Sequence, residues 1–287
     1  MWPWLIRTKP ALAASVLALL WLLESIAPMF VGRDRRTSHY FSNLALGLFN
    51  AAVVAVLFGG AALLVTEWAR QLPFGLMHWL NAPVWLSWPV VLVLFDAWMY
   101  TWHVLNHKTP LLWRFHAVHH ADREVDASTA LRFHTGEIVL SSAARLVVLP
   151  VIGMTMPQLL LYEVLLLPVI LFHHSNIRVP PRLDATLRWI IPTPWMHWVH
   201  HSRWRLETDS NYGSVLSIWD RMFGTLRLRA DPDQLELGLN DDQEEREWRT
   251  LRGMLWRPFL RTRTLAIQRK GASLSADETA RDDFRVF

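Results

Sequence analysis

The sequence predicts an all-α fold: a bundle of membrane-spanning helices capped by a helical, histidine-rich domain. Three observations carry that expectation. Apolar residues make up 52% of the 287-residue chain and gather into long stretches. Charge is polarised, with four acidic and six basic residues in 1–102 against twelve and ten in 230–287. Eleven of the thirteen histidines fall between His103 and His201, at spacings that suit helices.

The first apolar stretch, Ala11–Phe30, is interrupted only by Glu24. Arg7 and Lys9 precede it as they would a signal peptide, but no small-residue cleavage pattern follows, so it reads as a retained helix. The second, Asn43–Thr66, has no charge and exceeds the roughly 20 residues that a span needs. The third, Val84–Trp102, holds only Asp96. Ile138–Phe172 carries only Arg145 and Glu163 and is broken by Pro150, Gly153 and Pro157. Its 35 residues fall short of the ~40 that two full spans need, leaving a short helical hairpin or a re-entrant pair.

Arg33, Arg35 and Arg36 put the first internal loop in the cytoplasm. Alternation then puts residues 67–83 outside, and everything after His103 inside except the hairpin. The chain divides into membrane helices over 1–102, a histidine-rich domain over 103–229 that includes the hairpin 138–172, and a polar tail over 230–287. Trp4, Trp68, Trp79, Trp85, Trp102 and Trp113 sit near the ends of apolar runs, where an indole favours the membrane interface.

A net charge of +4 is no nucleic-acid footprint; arginines flanking apolar runs suit anionic lipid headgroups. The absence of cysteine excludes disulfides, thiolate-ligated haem and iron–sulfur clusters.

Three histidine motifs stand out: His103-x-x-x-His107, His116-x-x-His119-His120 and His197-x-x-His200-His201. Residues i, i+3 and i+4 share one face of a helix, so each motif can aim two or three imidazoles at one point. Neutral imidazole is a ligand for zinc, copper, iron and nickel. Eight such side chains are about twice what one ion can use, which points to two ions close together. His174, in the pair His173-His174, is the best ninth candidate, and His134 a weaker one. His39 and His78 read as packed or solvated residues.

Asp96 lies seven residues before His103 and nearly on its helical face. A carboxylate inside an apolar helix is read as functional, here as an acceptor for the outer nitrogen of a ligand histidine, the alternative being a structural pair with a buried arginine or tyrosine. Glu137, three residues after His134, suits the same role or a helix start.

Further motifs surround these histidines between Phe95 and Leu226: Asp96, Tyr100, Leu112-Trp-Arg-Phe-His116, Arg132-Phe-His-Thr-Gly-Glu137, His174-Ser-Asn176, Thr193-Pro-Trp-Met-His197, Glu207-Thr-Asp-Ser-Asn-Tyr-Gly213 and Ile218-Trp-Asp-Arg-Met-Phe-Gly-Thr225. In this order they resemble the fatty acid hydroxylase / sterol desaturase superfamily, and within it the bacterial sterol-desaturase-like members. One departure is Thr135, where the family usually has proline.

Charge alternation thus puts the metal site of this multi-pass chain in the cytoplasm, and the resemblance to bacterial members implies the inner membrane. It implies two iron ions, zinc also being able to load the purified protein, with O2 as co-substrate and a lipid as substrate. No haem- or flavin-binding domain is attached, so electrons would come from an external redox protein and reductase. Such chemistry is beyond any protein acid, base or nucleophile and belongs to the cofactor. Two other classes use imidazole clusters: a zinc-containing membrane hydrolase, separated by metal analysis with an O2-consumption assay, and a non-catalytic metal carrier. A carrier would spread its ligands along a path through the bilayer, whereas these gather on one face.

Overall fold

The computed structural model describes residues 3–31, 35–72, 74–230, 235–239 and 245–260. Among them there is no β-strand; the chain is helices, turns and loops. Arg33 and residues 261–287 of the expected polar tail lie outside the described residues.

Among the described residues, nine α-helices lead up to the histidine layer: α1 (Pro3–Ile26), α2 (Arg36–Gln71), the short α3 (Leu76–Trp79), α4 (Val84–Lys108), α5 (Pro110–His120), α6 (Thr135–Ile152), α7 (Met156–His174), α8 (Pro181–Leu187) and α9 (Pro194–His200). Five of these, α1, α2, α4, α6 and α7, are long and apolar enough to cross a membrane. Their surface carries apolar side chains outward, with Val56 81% and Leu64 71% exposed, which in water would be a severe cost but in lipid is not. Trp68, Trp79 and Trp85 are exposed as expected of interfacial indoles. Trp113 departs from that expectation: it is buried against the rings of His107 and His120.

Local chemistry sets the breaks. Thr109 is extended before Pro110, which opens α5 at a position where its missing N–H costs nothing and lets the chain turn after α4. The Ile138–Phe172 stretch holds two helices, the greater part of α6 and of α7, with a break at residues 153–155. Gly153 ends α6 in the left-handed region at φ 82°, and Thr155 with Gln158 forms a capping box that starts α7. Thr193 caps α9, with Pro194 in its first turn.

Beneath the apolar shell the interior holds many buried polar groups beside its apolar clusters. Glu24, treated in the sequence only as an interruption, accepts the backbone N–H groups of Ala127 (2.8 Å) and Asn176 (2.9 Å) and the hydroxyl of Tyr40. Arg132 is buried and donates to the carbonyls of Val118 and Trp248. The segment 245–260 is more than a polar appendage: Trp248 and Met254 are buried in one cluster with Leu46, Trp113 and Ala117.

Candidate metal centre

Helical spacing delivers the histidines as two adjacent groups. His103, His107, His116, His120 and His200 form one; His119, His174, His197 and His201 form the other. Within each group one nitrogen per residue lies within 4.8 Å of all the others. All nine histidines singled out from the sequence are therefore brought together. Each HxxHH motif divides between the groups in a way that spacing alone left open. His116 and His120, at i and i+4, face one point while His119 faces the other; His197 and His201 pair likewise, and His200 crosses to the first. The two groups abut, with ring centroids of His120 and His201 4.8 Å apart.

The ring nitrogens identify what the groups can do. Nδ1 of His103 donates to the carbonyl of Tyr212 (3.0 Å), that of His174 to Ile170 (2.7 Å) and that of His200 to Ser210 (2.6 Å). Each of these neutral rings therefore turns an Nε2 lone pair inward. Nε2 of His174 stands 3.1 Å from Nε2 of His119 and 3.0 Å from Nε2 of His197. One lone pair accepts one good hydrogen bond, so two such approaches fit a shared ion better. Nitrogens at right angles around an ion at 2.0–2.1 Å would be about 3 Å apart. Nε2 of His103 and His200, and both nitrogens of His107 and His201, are buried without a hydrogen-bond partner. Such atoms are costly when left alone, and the donor set fits two imidazole-bound ions.

Burial, then repulsion among neighbouring imidazoles, holds His119, His120, His197 and His201 well below the ordinary histidine pKa. They are neutral at pH 7, the state in which a ring can ligate.

Glu137 on α6 accepts from Nδ1 of His116 (2.9 Å) and from the Asn106 side chain (2.9 Å). Its second oxygen is buried and unpartnered beside a cavity. Asp96 does not support a histidine and follows its alternative reading, a pair with a buried tyrosine. Its partners are the Tyr162 hydroxyl (2.6 Å), the Trp219 indole (2.7 Å) and the backbone N–H groups of Val215 and Leu216, and none is a histidine. Seven residues bring Asp96 to the same helical face as His103 but leave it about 10 Å further along the axis. It instead ties α4 and α7 to the loop that carries Tyr212.

That loop carries part of the motif Glu207–Gly213, whose residue types alone point to no role. Asn211 takes the left-handed conformation at φ 52°, which asparagine tolerates, and lies between the two carbonyls that orient His200 and His103. Asp220 fixes the turn by accepting the N–H groups of Tyr212 and Gly213, and burial raises its pKa to about 6. His173 also belongs to the cluster, its ring 4.0 Å from that of His197. His134 does not: it caps α6 by accepting from Gly136 and bonds the Leu255 carbonyl. His39 is packed rather than solvated and belongs to neither group. Its two nitrogens reach Asp126 and Asp122, each at 2.9 Å, so both carry protons.

A cavity of about 270 Å³ opens between α2, α4, α6 and α7 and reaches both groups at His103, His116, His119 and His174. Its remaining wall is largely apolar, with Leu131, Phe133, Ile138, Leu166 and Ile170.

Residues 88–225 match the family model described as fatty acid hydroxylase. The chain is 28% identical over 237 residues to the ornithine lipid hydroxylase OlsE of Rhizobium tropici, covering 78% of this chain and 69% of that protein. It is 31% identical over 149 residues to human alkylglycerol monooxygenase, 50% of this chain and 31% of that one. It is 28% identical over 185 residues to rat cholesterol 25-hydroxylase, 58% and 59% respectively. The chain thus spans about a third of the alkylglycerol monooxygenase and over half of the other two. No solved structure matches it.

Proposed function

The chain belongs to the fatty acid hydroxylase / sterol desaturase superfamily, and from that premise we propose that it is a membrane-bound, O2-dependent oxidoreductase that hydroxylates or desaturates a lipid at a centre of two iron ions. The observation that carries this reading is the junction of two abutting imidazole groups with an apolar cavity set between membrane helices. The named relatives act on lipids as hydroxylases or monooxygenases, which supports the same class of substrate here.

His103, His107, His116, His120 and His200 would hold one ion, and His119, His174, His197 and His201 the other. Two irons so held would supply the redox chemistry with O2 that no side chain can perform. The protein's share is orientation and exclusion. Carbonyls of Tyr212, Ile170 and Ser210 keep protons on the outer nitrogens of His103, His174 and His200, and Glu137 does so for His116. The wall formed by Leu131, Phe133, Ile138, Leu166 and Ile170 keeps water out and aligns a hydrocarbon with the histidines. Electrons would come from an external redox protein and its reductase. The membrane is the bacterial inner membrane and the histidine layer faces the cytoplasm.

Metal analysis coupled to O2 consumption tests this reading. Protein purified without chelators should carry close to two ions, and His119→Ala and His200→Ala should each lose at least one. Iron-loaded protein with a chemical reductant and host lipid should consume O2. Zinc-loaded protein that hydrolyses a host lipid, with no O2 uptake by the iron form, would replace the oxygenase by a hydrolase.

A further inference from the structure

Arg145 and Glu163 are the charged residues of the apolar stretch 138–172, and the two do not neutralise one another. Glu163 is taken by Lys9 of α1 at 2.5 Å, while its other oxygen stands 4.0 Å from Arg145, the outer limit of an ion pair. The remaining contacts of the guanidinium are weak. Nη2 meets the thioether of Met99 at 3.4 Å, the Phe95 ring lies 6.0 Å away, and Nε is buried with no partner. Two cations thus share one anion at a place inside a candidate membrane span, where an uncompensated charge is expensive and marks function. Arg145 also lines the cavity that reaches the histidines.

We propose that Arg145 is the anchor for an acidic group on the substrate, so that the substrate is an amphiphile bearing a carboxylate or phosphate rather than a neutral sterol, alcohol or ether. A guanidinium pairs with either oxyanion through parallel N–H donors; with Nε buried, the two terminal nitrogens would form that fork. The position adds a geometric constraint. Met99 is one helical turn and Phe95 two turns before His103, so the acid would lie about 6–12 Å from the histidine layer. The carbon presented for oxidation is therefore within that distance of the acidic group. This rests on the oxygenase reading for its chemistry but not for its binding.

The test is binding by the full chain in neutral detergent, with three probes of equal chain: oleate, oleyl phosphate and oleyl alcohol, measured by calorimetry on metal-loaded and metal-stripped protein. At least one anion should bind about tenfold more tightly than the alcohol, and which of the two binds best identifies the oxyanion. Arg145→Gln should bring that ratio to near one, and Arg145→Lys should retain part of it. Equal binding of all three by the unaltered protein overturns the anchor, as does a preference that survives Arg145→Gln. A preference in protein that consumes no O2 would keep the anchor and remove the oxygenase; O2 uptake with equal binding would do the reverse.

Discussion

The carboxylate of Glu137 accepts the Nδ1 proton of His116 at 2.9 Å, joining the start of α6 to the five-histidine group. This fixes the ring so that Nε2 points inward, and sets a negative charge behind a site whose imidazoles bring none. Glu137→Gln keeps the shape and an acceptor oxygen while removing the charge. Metal affinity or turnover should fall about 10–100-fold with little change in Tm. Metal titration beside a thermal melt checks this, and unaltered affinity would make Glu137 a helix-start residue only.

Asp96 should behave differently. Four donors converge on its two oxygens, and an amide offers them a single acceptor oxygen. Asp96→Asn should cost about 1–3 kcal/mol of stability through donors left unpaired. Its melt should drop by more than that of Glu137→Gln. The reverse order would return Asp96 to direct support of the histidines.

His39→Ala is expected to destabilise the fold. It would leave Asp122 and Asp126 buried and facing each other, at about 3–5 kcal/mol. Burial pushes the Asp122 carboxyl up, but His39 and Arg132 outweigh it and hold it well below the usual range. A depressed carboxylate contributes stability above its unfolded pKa of about 4 and loses it as pH falls through the lower folded value. The deficit of the variant should be full at pH 7 and shrink on acidification. A melt at pH 7 equal to the parent's would remove the bridge from this account.

Much of the architecture was legible because apolar stretches and i, i+3, i+4 spacing are local signals. They located three long apolar helices, the stretch that carries two more, and all nine histidines. The division of each HxxHH between two groups was not legible, because it depends on how α5 and α9 face each other. The choice between the two readings of Asp96 was not legible for a related reason: sharing a face with His103 does not fix depth along the helix. The carbonyls of Ser210 and Tyr212 left no mark beyond a quoted motif, since any residue supplies a carbonyl and only the turn at Asn211 aims them.

Sidedness can be read from single cysteines, since the chain has none of its own. Ser202 is buried and would make a poor probe, whereas Ser38, Gln71 and Glu247 are exposed. Cysteines at Ser38 and Glu247 should react with an impermeant reagent only from the cytoplasm, and one at Gln71 only from outside. Labelling at Glu247 from outside would invert the topology.

Use of O2 on a lipid by the histidine groups is tested most directly by the product itself. Cells expressing the protein with a competent electron donor under ¹⁸O2 should accumulate a modified lipid. Hydroxylation would add one labelled oxygen; desaturation would remove two hydrogens and leave no label. Either product should require O2 and disappear in His119→Ala. Mass spectrometry of the lipid extract decides it. A product that forms without O2, or persists in His119→Ala with the metal gone, would contradict the account.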